Sequence, residues 1–242
     1  MTRHPWLLPR RSPLSLAAVL AGSLWLGGCA GMTERTDDAG GGAAEAYTRL
    51  GVAYLERNNL PRAMSALDRA LEHDPSSPEA LQAMAVAYQR QGEDDLAEEA
   101  FRRALSSDPD FTQARNNYAA FLYDLGRTEE ACEQLEHATR DTQYARRAQL
   151  FANLGRCRRD QGEIDAARTS LERAVSLDPR YASAYLRLAD LALAEGELAQ
   201  AQRQLERYMS LAGETAEARA LANEIATARS GDAALRSDPD AP

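Results

Sequence analysis

The chain has 242 residues, of which 44% are apolar but only 6% aromatic. Its 28 cations, every one an Arg, face 37 acids for a formal charge of −9. Apolar content made mostly of Ala and Leu favours helix and argues against a β-sandwich or barrel, while the acidic balance argues against a nucleic-acid partner.

The N-terminal segment is not read as fold. Arg3, Arg10 and Arg11 precede the apolar run Leu14 to Leu26, and no acid appears before Glu34. A basic start followed by an apolar stretch this short is a secretory signal rather than a membrane-spanning helix. The sequence Leu26-Gly27-Gly28-Cys29 that closes it resembles the bacterial lipobox. That resemblance implies cleavage before Cys29, a diacylglycerol thioether on its sulfur and acylation of its new amine. Several acyl chains anchor stably where one would be marginal. Ala30 follows Cys29, and the absence of Asp there points to the periplasmic face of the outer membrane. The covalent lipid on Cys29 is the only non-protein group expected, with no other cofactor and no metal.

Residues 1–28 are thus a signal peptide, and their removal leaves 25 Arg against 37 acids, a charge of −12. Residues 29–43, with the run Gly40-Gly41-Gly42 and no apolar periodicity, are predicted to be a flexible tether. Such a coil would have an r.m.s. reach of about 20 Å.

From residue 44 a period of 34 organises the chain. Ala63, Ala97, Ala131, Ala167 and Ala201 are spaced by 34, 34, 36 and 34 residues, and each is followed four residues later by Leu67, Phe101, Leu135, Leu171 or Leu205. Asp-Pro pairs at Asp74-Pro75, Asp108-Pro109 and Asp178-Pro179 mark helix ends, and Gly92, Gly126, Gly162 and Gly196 recur where paired helices turn. The extra two residues fall near Thr142 to Arg147. With Tyr47, Leu50, Gly51 and Tyr54 in the first unit and Leu81, Met84, Ala85 and Tyr88 in the second, the pattern resembles the tetratricopeptide repeat, a helix-turn-helix unit. The implied fold is an all-α, right-handed superhelical solenoid. Its five repeats fall at about 44–77, 78–111, 112–147, 148–181 and 182–215, with a partial sixth at 216–229 capping the stack. The small, acidic residues 230–242 are predicted to be a disordered tail.

No nucleophile–base constellation, phosphate loop or metal-ligand spacing is present in the sequence, and the chain is read as a non-enzyme with no small-molecule substrate. After Cys29, the remaining cysteines are Cys132, early in the second helix of the third unit, and Cys157, in the first helix of the fourth. Those helices stack, so a disulfide is expected in an oxidising compartment, with free buried thiols as the alternative.

Tetratricopeptide proteins bind partners mainly through fixed positions of each first helix. Carried onto this chain, these positions give Thr48 and Val52, then Gln82, Val86 and Gln89, then Asn116, Ala120 and Tyr123, and finally Arg156 and Arg159. The groove is mixed amide and apolar at first and turns basic at the fourth unit. Thr48 and Val52 stand where the carboxylate clamp of cytosolic co-chaperones has a basic residue and an Asn, so that clamp is absent.

The run Ala114-Arg115-Asn116-Asn117-Tyr118-Ala119-Ala120-Phe121-Leu122, with Gly126-Arg127 and Glu129-Glu130-Ala131 after it, resembles the type IV pilus biogenesis/stability lipoproteins, the PilF/PilW family. Two departures stand out: Ala119 where the family often has Gly, and a sixth repeat cut to one helix. The resemblance implies a pilotin-like, monomeric protein. It would bind the secretin subunit of the type IV pilus and promote its outer-membrane localisation or multimerisation, or pilus stability. Asn116, Asn117 and Tyr123 would then hold a secretin segment. Against this, both Asn side chains could equally form a ladder between neighbouring helices, and Tyr118 is read as core. An envelope scaffold recruiting peptidoglycan enzymes is the alternative role.

Overall fold

The computed structural model describes the backbone of residues 36–237 and the side chains of most of them. The chain divides into two units, Met1–Gly40 and Gly41–Pro242, and the second carries the repeats. The lipobox, Cys29 and the signal peptide lie outside the described residues.

Among the described residues eleven helices succeed one another, ten of them in antiparallel pairs: α1 Thr36–Glu56 with α2 Leu60–His73, α3 Pro78–Gln91 with α4 Asp94–Ser107, and α5 Thr112–Asp124 with α6 Thr128–Ala138. Then come α7 Arg147–Asp160 with α8 Ile164–Leu177, α9 Ala182–Ala194 with α10 Leu198–Ala212, and an unpaired α11 Ala216–Ser237. There is no strand among the described residues. Each second helix packs between its own first helix and that of the next unit, the arrangement of a repeat superhelix.

The pairing geometry comes from the residues at the period. Ala63, Ala97, Ala131, Ala167 and Ala201 are wholly buried where two helices touch, and Leu67, Phe101 and Leu205 fill the space beside them. Facing these sit Gly51, Ala85, Ala119, Gly155 and Ala189. A Cβ on Gly51 would come within 2.6 Å of Leu67 Cγ, and one on Gly155 within 2.6 Å of Leu171 Cγ. At those two crossings only glycine fits without displacing the partner. Ala119, the small-for-small departure, is 1% exposed and fits its crossing.

Turns close the pairs in one way. Gly92, with φ 79°, ends α3, and Gly126, Gly162 and Gly196 share its left-handed conformation. Asn58, with φ 54°, takes the same place in the first unit, where the sequence pattern of glycines is broken; Asn is the non-glycine residue that best tolerates it. Between units, Asp74 accepts a hydrogen bond from the Ser76 amide at 3.0 Å, Asp108 from Asp110 at 3.0 Å and Asp178 from Arg180 at 2.8 Å. These Asx turns redirect the chain after each second helix.

The third unit departs from this scheme. α6 stops at Ala138 and α7 begins at Arg147, so the inserted residues lengthen this connection. No Asp-Pro pair is present; instead Asp141 accepts from the amides of Gln143 at 2.8 Å and Tyr144 at 3.1 Å and from the Thr112 hydroxyl at 2.6 Å. The Thr112 hydroxyl, then the Gln143 amide, hold its carboxyl below the usual carboxylate range. Across the same junction Cys132 on α6 and Cys157 on α7 are joined in a disulfide, with Cα atoms 5.7 Å apart. Phe101, Tyr118 and Phe121 pack beside it, ring centroids 5.4 and 5.6 Å from Phe101, in a cluster that also takes in Leu154 and Cys157.

Two sequence expectations need correction. Residues 36–43, read as the end of a flexible coil, are the first two turns of α1. No proline interrupts them, and adding residues to a helix already packed through Ala44 and Thr48 requires no new nucleus, which offsets the roughly 1 kcal/mol penalty of each glycine. Likewise residues 230–237, read as disordered tail, continue α11 to Ser237; Ala233, Ala234 and Leu235 are good helix formers and Pro239 is the first breaker. Tyr208 donates to or accepts from Thr215 at 3.2 Å, and Thr215 Oγ1 accepts from the Ala218 amide at 3.1 Å, starting α11. Ala218, Leu221 and Ile225 then cover the last full pair.

Candidate functional site: a groove along the first helices

Among the described residues, two separate hollows are lined by first helices. The proximal one, about 440 Å³, is formed by Thr48, Val52, Glu79, Gln82 and Gln113 among others, with Phe111 from the connection before α5. The distal one, about 560 Å³, lies on α7, α9 and α11 and includes Arg159, Leu186, Arg187, Asp190, Glu217 and Glu224.

The predicted groove residues do not all face outward. Val52 is 38% exposed and Ala120 is exposed, but Thr48 and Gln82, although they line the hollow, are buried. The Thr48 hydroxyl donates to the Ala44 carbonyl at 2.8 Å. Val86 packs half-buried into the core between the second and third units. Gln89 donates to Asp124 at 3.3 Å, linking two first helices.

Asn116, expected to face a ligand, is 6% exposed, and its Oδ1 accepts from Asn153 Nδ2 on α7 at 3.1 Å. It belongs to a ladder between first helices: a buried amide must satisfy itself within the protein, and α7 lies within reach. Asn117 is half-buried. Tyr118 is core, as its position predicts, although its hydroxyl is not idle: it donates to Glu98 at 3.1 Å and accepts from Arg102 Nε at 3.4 Å. Glu98 also receives Arg127 at 2.7 Å, and Arg127 reaches Glu130 at 2.5 Å.

Polar chemistry concentrates in the distal part. The guanidinium of Arg156 stacks on the Tyr123 ring, 3.9 Å from its centroid. The Tyr123 hydroxyl donates to Asp160, and burial, then this bond, push the phenol up. Arg159 pairs with Asp190 and, at 3.1 Å, with Asp160. Burial opposes its charge, but Asp190 and Asp160 outweigh that and raise its pKa. Arg187, absent from the sequence-predicted set, projects from α9 beside them. Burial, then the charges of Arg156 and Arg159, lower its pKa. Its position repeats that of Asn117 and Asn153 one unit on, and that register was the available signal.

Among the described residues no group of His, Cys, Asp and Glu could hold a metal ion, and no helix is long and apolar enough to cross a membrane. The tetratricopeptide-repeat model matches residues 54–110, 89–154 and 158–225. The chain is 35% identical over 182 residues to the type IV pilus assembly protein PilF of Pseudomonas aeruginosa, covering 75% of this chain and 72% of that one. The chain belongs to this family of type IV pilus tetratricopeptide-repeat proteins. A solved structure of Pseudomonas aeruginosa PilF superposes with a TM-score of 0.74 at 34% identity, spanning 81% of this chain and 88% of that one. A crystal structure of PilW, described as a widely conserved type IV pilus biogenesis factor, gives a TM-score of 0.73 at 29% identity, spanning 79% and 88%. Both PilF/PilW relatives are pilus factors built on this repeat fold.

Proposed function

We propose that this protein is a non-catalytic, pilotin-like lipoprotein of the type IV pilus. Anchored through lipid on Cys29 at the periplasmic face of the outer membrane, it holds a segment of the pilus secretin in the groove of its first helices. Secretin subunits are thereby brought to the membrane and multimerise there. The observation that carries this reading is PilF/PilW family membership, supported by hollows whose walls come from successive first helices. The mechanism asks for no bond-making: lipid supplies location, and the rigid stack supplies a surface.

Deletion of the gene tests it. Secretin multimers on gels and twitching motility should both be lost, and unchanged multimers with normal motility would refute the role. Normal multimers with defective fibres would move it to pilus stability. Cys29→Ser should release the protein from the outer membrane, and its retention there would contradict the anchor.

A further inference from the structure

On the second-helix side of the stack, the crevices between successive second helices are not alike. Between α4 and α6, Arg115 donates to Gln134 at 2.8 Å, and Tyr118 bonds Glu98 and Arg102 beside it. Between α6 and α8, Arg158 from α7 bridges Glu136 at 2.9 Å and Ser170 at 3.0 Å. Between α8 and α10, Arg207 lies over the Tyr185 ring, 5.6 Å from its centroid. Between α2 and α4 the equivalent positions carry Leu81 and Ala100 for Arg115 and Gln134, and Tyr88 for Arg158. Arg103, at the place of Arg207, meets Leu81 instead of a ring position and donates to the Pro75 carbonyl at 3.3 Å. A hollow of about 270 Å³ remains there. Leu81 and Met84 are its buried floor, with half-buried Leu71 and Tyr88 beside them. Leu96, which also lines it, is 43% exposed, where the other units have Arg62, Glu130, Ala166 and Gln200. An exposed leucine alone is ordinary; one beside an apolar hollow that the sister crevices bridge marks a contact surface.

We propose that the α2/α4 crevice is a second docking surface, a socket for one large apolar side chain of a partner protein whose neighbouring residues include Lys or Arg. It is distinct from the hollows of the first helices: Leu81 and Met84 follow Glu79 and Gln82 of the proximal hollow by two residues each, about 200° around α3. A volume below the roughly 300 Å³ at which small-molecule sites begin suits a side-chain anchor rather than a cofactor. Carboxylates set the sign of the rim. Asp68 on α2 and Glu99 on α4 line the hollow and are exposed, and neither is in an ion pair among the described residues. Arg103, the cation that lines it, is held at one end by Pro75. The α6/α8 crevice shows what such an acid can receive: Glu136, at the place of Asp68, is met by the chain's own Arg158. In the open crevice a partner's cation takes that part, with its aliphatic stem on Leu71 or Leu96. The same acids repel phosphate headgroups, so the occupant is a protein segment and not a lipid surface.

The test uses the mature protein, a displayed library of random peptides and the variant Leu96→Gln, which installs the fifth unit's residue at an exposed position and should leave the melting temperature unchanged. Selection on the unaltered protein, with Leu96→Gln as counter-selection, should enrich a Leu, Ile, Met or Phe with Lys or Arg beside it. A synthetic peptide of that consensus should bind Leu96→Gln about tenfold more weakly by fluorescence anisotropy. Replacing the peptide's apolar anchor by Ser should cost as much on the unaltered protein. The double variant Asp68→Asn/Glu99→Gln should bind more weakly at low salt and flatten the fall in affinity that the unaltered protein shows as salt is raised. Repeating the counter-selection with Leu96→Ala, the fourth unit's residue, keeps the outcome independent of any instability of the first variant. The proposal is overturned if no peptide survives counter-selection, if the consensus lacks the apolar anchor or its basic neighbour, or if the double variant keeps the full salt dependence. A dimer in sedimentation that Leu96→Gln dissociates would overturn it in favour of a second copy of this chain as the occupant.

Discussion

Between Thr48 and Gln113 the proximal hollow is walled by short amides and aliphatic side chains, with Glu79 and Arg49 at its margin; from Arg159 to Glu224 the distal hollow is walled by arginines, acids and a few apolar side chains. Both stretches are built from equivalent helix positions whole periods apart, so the backbone is shared and the difference is in side chains alone. A repeat fold sets where a side chain will point and leaves its chemistry free. The proximal part thereby offers shape and weak hydrogen bonding, and the distal part offers charge. Between them sits the junction of the third and fourth units, where the chain has its longer connection, its disulfide and its aromatic cluster.

The largest effect on this division comes from removing the core beneath the junction. Phe101→Ala should cost about 3–5 kcal/mol, because the ring is wholly buried against Tyr118 and Phe121. Chemical denaturation should show the proximal units unfolding before the distal ones. Next is the disulfide. Replacing both Cys132 and Cys157 by Ala should lower stability by about 3 kcal/mol in the loop-entropy model, and the variant should denature identically with and without reductant. If the pair contributes only packing, the reducing agent will leave the unaltered protein unchanged.

Asn116→Ala should cost about 1 kcal/mol by leaving Asn153 without its partner, with no change in ligand affinity, since Asn116 faces α7. A loss of binding larger than the loss of stability would return it to the groove. The smallest effect is that of Arg127→Gln, below about 1 kcal/mol, and its pH dependence is the informative part. The Arg127 hydrogen bond holds the Glu98 carboxyl below its ordinary range. Its stabilisation is therefore complete above the unfolded carboxylate pKa and lost as pH falls through the depressed folded one. The midpoint difference between Arg127→Gln and the unaltered protein should be full at neutral pH and close in that acidic window.

Much of this was legible in the sequence because a repeat states its rules several times over. Ala63 through Ala201 fixed the crossings by spacing alone, and the extra residues near Thr142 located the irregular junction. Helix limits were less legible: glycine and small polar residues near Gly40 and Ser230 carry low helix propensity, but a helix already nucleated by packing runs through them. The site was half legible. Periodicity put Arg159 on the helix face that lines the distal hollow, yet it could not tell that Asn116 would find Asn153. It also passed over Arg187, because a long side chain reaches the groove from a position whose Asn counterparts do not.

The bridge between α6 and α7 has a mechanical consequence. A solenoid pulled from its ends behaves as a series of springs and parts at its weakest interface, one pair after another. Cys132 and Cys157 stand 25 residues apart in sequence, roughly 85 Å of contour at full extension, which no tension applied at the termini can draw out while the bond is intact. Under load the oxidised protein should therefore extend short of its full contour by that amount, and the surfaces on which α6 and α7 meet should be the last in the stack to part.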